Sequence, residues 1–300
     1  MLKEKIKNFE LEKWSAPELK EDIPHGDMPG DKVVIGEDHI NKANKIFPLL
    51  IKELEKLDSD KAVVSVFGGS GVGKSEIASL LAYYLQEAGF GSYVMSGDNY
   101  PFRIPMYNDA ERLSIFRANG LKGLKESGTY DEQMKETLFR LWEEESDPDP
   151  EKANEYPWLK VYQESGRKAL KEYLGTNKEQ DYQEVNEILK QFKEGKDQIY
   201  FKKMGRKEEE RWYDLVDARD TDVLLLEWTH GNNENLNGID VPVLLNSTPE
   251  ETREHRRLRA RDGKTDSAFT TMVLSIEQEE LDERGKFAKI KISKSGTIMD

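Results

Sequence analysis

An apolar run, Val63-Val64-Ser65-Val66-Phe67, leads directly into Gly68-Gly69-Ser70-Gly71-Val72-Gly73-Lys74-Ser75, and no other stretch restricts what this chain can fold into as much. The second segment is a complete G-x-x-x-x-G-K-[ST] loop. Glycines let such a loop curl until successive backbone N–H groups point inward at phosphate oxygens, where a β-carbon would obstruct the approach. After it, Ile77, Leu80, Leu81 and Tyr84 recur at helical spacing, so the loop opens a helix whose N-terminus faces the bound anion. Strand, loop and helix together predict a nucleoside-triphosphate cradle. Its expected contacts are Gly69, Ser70, Gly71, Val72, Gly73, Lys74, Ser75 and Glu76, with Lys74 charged against the β and γ phosphates and the Ser75 hydroxyl a ligand for Mg²⁺.

The chain has 300 residues, enough for an elaborated α/β domain with a substantial insert. Charged residues make up 35% and hydrophobic ones 36%, so apolar positions must be concentrated in a few strands and helix faces. The formal net charge of −14 repels a phosphate backbone and argues against nucleic acid as a partner. There is no cysteine, which excludes disulfides and thiolate chemistry, and the four histidines lack metal-ligand spacing. The charged N-terminus and the absence of any run near ~18 apolar residues predict a cytoplasmic protein without membrane contact. A homodimer is left open.

Four segments are expected. Residues 1–32 read as an arm with turn residues, laid over the surface. Residues 33–100 form the first part of the core, with a leading helix from Asp38 to Leu57, the loop, and a second strand at Ser92-Tyr93-Val94-Met95. Residues 101–217 read as a helical insert, with helices from Tyr130, Leu159 and Tyr182, and a short strand at Ile199-Tyr200-Phe201 before a helix ending near Asp217. Residues 218–300 return to the core through Val223-Leu224-Leu225-Leu226-Glu227 and Val241-Pro242-Val243-Leu244-Leu245, apolar runs suited to buried parallel strands. The basic helix Thr252 to Arg261 follows.

At the ends of these strands stand three groups that bear on chemistry. Asp98 lies just past the second strand, where it could take a proton from an attacking hydroxyl. Glu227 ends an otherwise apolar strand, a place for a carboxylate that serves Mg²⁺ or its waters. Arg253, Arg257 and Arg261 share a helix face by i, i+4 spacing and could close over the phosphates.

Residues 62 to about 265 resemble the phosphoribulokinase and uridine kinase family of P-loop kinases, through the loop Gly68 to Ser75, Ser96-Gly97-Asp98-Asn99-Tyr100, Leu226-Glu227-Trp228-Thr229-His230-Gly231 and the arginine-rich segment. The resemblance implies α/β architecture, a P-loop NTPase-type doubly wound parallel sheet with a helical insert. It also implies ATP and Mg²⁺ as cofactors, Asp98 as catalytic base, Glu227 as the acidic residue at the Walker B position, and Arg257 and Arg261 as lid arginines. Tyr200 to Arg206 is similar to the family's substrate-side segment, with Arg206 the contacting residue. Trp228 stands where the family usually has glycine, and the insert is longer than the family's.

The expected activity is transfer of the ATP γ-phosphoryl group to a hydroxyl of a sugar, polyol or nucleoside, with Tyr100, Arg103, Arg206 and His230 around the acceptor. Arg103, Arg112 and Arg117 together hint at an anionic acceptor such as a sugar phosphate. The alternatives are a nucleotide-hydrolysing switch and an adenylylsulfate kinase-like enzyme. A guanine-reading N-K-x-D motif is not met, because Asn177-Lys178-Glu179-Gln180 lacks the aspartate.

Overall fold

A computed structural model describes residues 2–20, 23–26, 28–29, 33–259 and 267–300, the side chain of Arg259 excepted. Helix α1 (Leu2–Lys7) comes first, and the helical spacing of Ala43, Ile46, Phe47, Leu50, Ile51 and Leu54 gives α2 (Glu37–Glu55). Strand β1 (Ala62–Gly68) and helix α3 (Lys74–Glu87) flank the glycine loop, and β2 (Ser92–Ser96) follows. Five helices come next: α4 (Pro105–Glu126), α5 (Glu132–Glu143), α6 (Lys152–Glu155), α7 (Leu159–Lys171) and α8 (Tyr182–Lys193). The chain continues through β3 (Gln198–Met204), β4 (Arg211–Asp217), β5 (Val223–Glu227), β6 (Val241–Asn246), α9 (Arg253–Arg259), α10 (Ala268–Gly285), β7 (Ile290–Ser293) and β8 (Ile298–Met299).

The main sheet has strand order β2-β5-β1-β6-β7-β8, parallel from β2 to β7 with β8 antiparallel at the edge. Every residue of β1 and β5 is buried, as continuous apolar runs require when helices cover both faces. Side chains alternate between the faces. Val64, Val66, Leu225 and Val243 join the core formed with α1, α2 and α3, whereas Val63, Leu224 and Leu226 join a second core with α8 and β3. This is the expected doubly wound α/β arrangement. Leu2 and Ile6 of α1 lie in the main core, with Phe9, Leu11 and Trp14 packed against it.

Helices α4, α5 and α7 gather a core of their own around Phe116, Leu138, Leu141, Leu159 and Tyr162. The helix expected before Asp217 is instead strand β4, antiparallel to β3 from Gln198↔Asp217 to Met204↔Arg211. Aromatic and aliphatic side chains at Trp212, Tyr213, Leu215 and Val216 favour the extended form, and Gly205 N–H closes the turn on Glu210 O at 2.7 Å. Helix α10 has no counterpart in the sequence reading, because its apolar residues are spread around the helix instead of forming one stripe. Among the described residues no helix is long and apolar enough to cross a membrane.

Candidate active site

Strand register brings the chemistry to one end of the sheet. Glu227 is level with Val66 on one side and Ser96 on the other, so the glycine loop, the carboxylate and the segment after β2 emerge side by side at the carboxyl ends of the strands. Beyond that edge lies a cleft of about 640 Å³.

The loop holds the shape its glycines permit: Gly71 has φ 76° and Gly73 φ 98°, and Gly73 caps α3 in the left-handed region. Lys74 Nζ donates to Gly69 O at 3.1 Å, folded back over the loop. The hydroxyl of Ser75 lies 3.4 Å from Glu227 Oε2, and Glu227 is buried. A hydroxyl and a carboxylate beside a phosphate cradle fit Mg²⁺, which keeps several waters and takes few protein ligands. No cluster of three or more metal-binding side chains occurs among the described residues.

Asp98 lies on a single 3-10 turn, Gly97–Asn99, and is exposed to the cleft. The turn is anchored by its buried neighbour: Asn99 Oδ1 accepts from Met204 N at 2.8 Å and Asn99 Nδ2 donates to Ser96 O at 3.2 Å. Trp228 supports it from below. A β-carbon on Gly97 would lie 2.0 Å from the Trp228 ring, so glycine at 97 is what admits a tryptophan after Glu227. The Trp228 ring also packs on Tyr182, centres 5.2 Å apart, and makes a T-shaped contact with His230, centres 5.4 Å apart.

His230 lines the cleft yet is 4% exposed; burial pushes its imidazole down to about 3, so the ring is neutral at ordinary pH. Beside it Glu179 is fully buried and accepts from Arg112 Nε at 2.6 Å, Asn108 Nδ2 at 3.0 Å and Gly175 N at 2.7 Å. Burial raises the Glu179 carboxyl, but Arg112 and these bonds outweigh it and hold it below the usual range. Glu277, on α10, is raised by burial against the opposing pull of Arg112.

Of the residues singled out in the sequence, the cleft brings together Ser70, Gly71, Gly73, Lys74, Ser75, Asp98, Arg103, Arg112, Arg206, Glu227 and His230, but not Arg117. Gly69 and Val72 belong to the same loop, and Glu76 is buried in the first turn of α3. Tyr100 is a correction. Its ring is wholly buried in the second core and its hydroxyl accepts from Lys202 N at 3.2 Å, which removes it from the acceptor side of the cleft. Arg257 is also corrected: it is exposed on α9 and does not line the cleft, whereas Arg256, one residue earlier, does. The Arg256 side chain passes 3.0 Å from where a Gly71 β-carbon would be, and Nη1 donates to Pro249 O at 2.8 Å and Thr252 Oγ1 at 2.6 Å. Arg261 lies outside the described residues.

Sequence reasoning missed Asn108, Gln180, Arg256 and Glu277 as cleft residues. For Gln180 the signal in the sequence is the polar run Asn177-Lys178-Glu179-Gln180, which does not match a guanine-binding motif.

The chain is 34% identical over 261 residues, 87% of its length, to the bifunctional alpha-galactosidase/sucrose kinase AgaSK of Mediterraneibacter gnavus. It spans 23% of that relative's length. Among solved structures it is similar to a protein described as a possible uridine kinase from Bacillus stearothermophilus, with 15% identity, 84% of this chain and 97% of that one covered, and a TM-score of 0.45. It is also similar to D-glycerate 3-kinase from Cryptococcus neoformans var. grubii, with 13% identity, 89% and 99% covered, and a TM-score of 0.47. No protein-family model matches the chain.

Proposed function

We propose that this protein is an ATP-dependent kinase that phosphorylates a hydroxyl group of a sugar or a similar small molecule. The observation that carries the reading is that Lys74 and Ser75 of the phosphate loop share one cleft with Asp98, a carboxylate on a tethered turn. The printed activity of the relative, sucrose kinase, favours a sugar among the hydroxyl acceptors.

The loop amides and Lys74 hold the β and γ phosphates, as anion-binding backbone at a helix N-terminus does. Asp98 orients the acceptor hydroxyl and takes its proton as the oxygen bonds to the γ phosphorus; the bond from that phosphorus to the bridging oxygen breaks, and ADP leaves. Ser75 and Glu227 would hold Mg²⁺, which supplies neutralisation of charge on the phosphates. Arg256, against the loop at Gly71, adds positive charge near the transferring group. Neutral His230 offers one donor and one acceptor nitrogen on the acceptor side.

The test is ADP release by purified protein with ATP and Mg²⁺ against a panel of sugars, polyols and nucleosides. Release that requires one of these compounds and matches formation of its phosphate ester supports the proposal. ADP released at the same rate without any acceptor would replace it with a nucleotide-hydrolysing switch.

A further inference from the structure

The charge of the acceptor is read from the residues that line the cleft beside the phosphate loop; this step rests on the kinase reading above. Of the arginines that hint at an anionic acceptor, Arg103 and Arg112 line the cleft but are engaged with protein groups. Arg112 Nε is bonded to Glu179 at 2.6 Å and its Nη1 lies 3.4 Å from Asp109. Arg117 grips both oxygens of Asp147, at 2.7 and 3.2 Å, and does not line the cleft. Arg103 donates to the Tyr173 hydroxyl at 3.1 Å and faces Glu111 at 3.6 Å.

Beside Arg103, Arg112 and Arg206, the wall presents buried hydrogen-bond acceptors. Asn108 is 6% exposed and Gln180 3%, and both line the cleft. The carbonyl oxygens Asn108 Oδ1 and Gln180 Oε1 are shielded from solvent and have no hydrogen-bond partner among the described residues. A buried amide oxygen without a donor is costly, so the site is complete only when something supplies O–H or N–H groups. The amide nitrogen of Asn108 is already spent on Glu179, which fixes the orientation of its oxygen. Glu277 lines the same cleft near Arg112, Lys74 and Asp98, with its carboxyl raised by burial. An ionised phosphate or carboxylate brings only lone pairs and negative charge to such a wall, whereas a sugar hydroxyl brings a donor.

We infer that the phosphoryl acceptor is an uncharged polyhydroxy compound whose hydroxyls donate to Asn108 and Gln180, and that sugar phosphates are turned away by this acceptor-rich wall. Asn108 and Gln180 are then specificity residues, and the transferring chemistry at Asp98 is separate from them.

The experiment compares kcat and KM for neutral sugars and for their monophosphates in the wild type, Asn108→Leu and Gln180→Leu, with melting curves to check folding. The inference expects turnover of a neutral sugar, at least about tenfold preferred in kcat/KM over its monophosphate. In each variant KM for the sugar rises about tenfold or more, while KM for ATP stays near the wild-type value. If Asn108→Leu fails to fold because Glu179 loses a bond, Gln180→Leu decides. A monophosphate used as well as or better than the neutral sugar, or an unchanged sugar KM in a folded Gln180→Leu protein, overturns the inference and leaves the kinase reading standing. No acceptor-dependent ADP from any compound removes the kinase reading, and this inference with it.

Discussion

A methyl group on Gly97 would collide with the Trp228 ring, and the collision would be felt one residue later at Asp98. Overpacking of this kind costs about 1–3 kcal/mol. Gly97→Ala is therefore expected to lower the melting temperature and to slow phosphoryl transfer together, measured by thermal unfolding and initial rates. Asp98→Asn acts differently. The side chain is exposed and its turn is held through Asn99, so the fold and ATP affinity should persist while transfer falls about 100- to 10,000-fold. Lys74, Ser75, Asp98 and Glu227 were legible in the sequence because each is fixed by a short local pattern at the end of a strand. Asn108, Gln180 and Glu277 were not, because the cleft wall is assembled from α4, the segment before α8, and α10, which are far apart in the chain.

At the scale of elements, α9 shows how a correct helix can still yield the wrong face. A shift of one position turns a side chain by about 100° around the axis, and the basic face read from Arg253, Arg257 and Arg261 missed the position that points at the loop. Arg256→Ala should slow transfer about 10- to 100-fold with modest change in ATP affinity, whereas Arg257→Ala should leave the rate within about twofold, as an exposed charge does. Steady-state kinetics of the two variants side by side checks the assignment; the reverse ranking would return the role to Arg257. Strands β1, β5 and β6 were readable as continuous apolar runs, whereas β7, with Lys291 between two isoleucines, was not read. Strand β4 was not, because Arg211, Asp214 and Asp217 interrupt its apolar pattern and most of its residues remain exposed.

For the whole molecule, α10 binds the helical segment to the sheet. Val273 and Ile276 share a small core with Leu170 and Leu174, and Leu281 packs on Phe67 and Leu244 beside the loop. Glu280 sits at this junction. It contacts Arg284 at 3.0 Å, yet burial dominates and pushes its carboxyl from 4.5 up to about 7. A carboxyl raised on folding favours the native state in its protonated form. Its stabilisation is therefore present below pH 4.5 and lost as pH rises through about 7. Glu280→Gln should accordingly gain stability relative to wild type between pH 5 and 8, by on the order of 2 kcal/mol at the upper end. Melting curves of both proteins across that range measure it, and a constant difference would deny the shift.

The most direct test follows the phosphoryl group itself: wild type and Asp98→Asn are mixed with Mg²⁺, a neutral sugar substrate and ATP labelled in the γ phosphate, and the label is traced through a single turnover. The account predicts label on a sugar hydroxyl in the wild type and a transfer slowed about 100-fold or more in the variant, with ATP bound equally by both. Label released as inorganic phosphate at the same rate with or without sugar, or moved equally fast by both proteins, would contradict it.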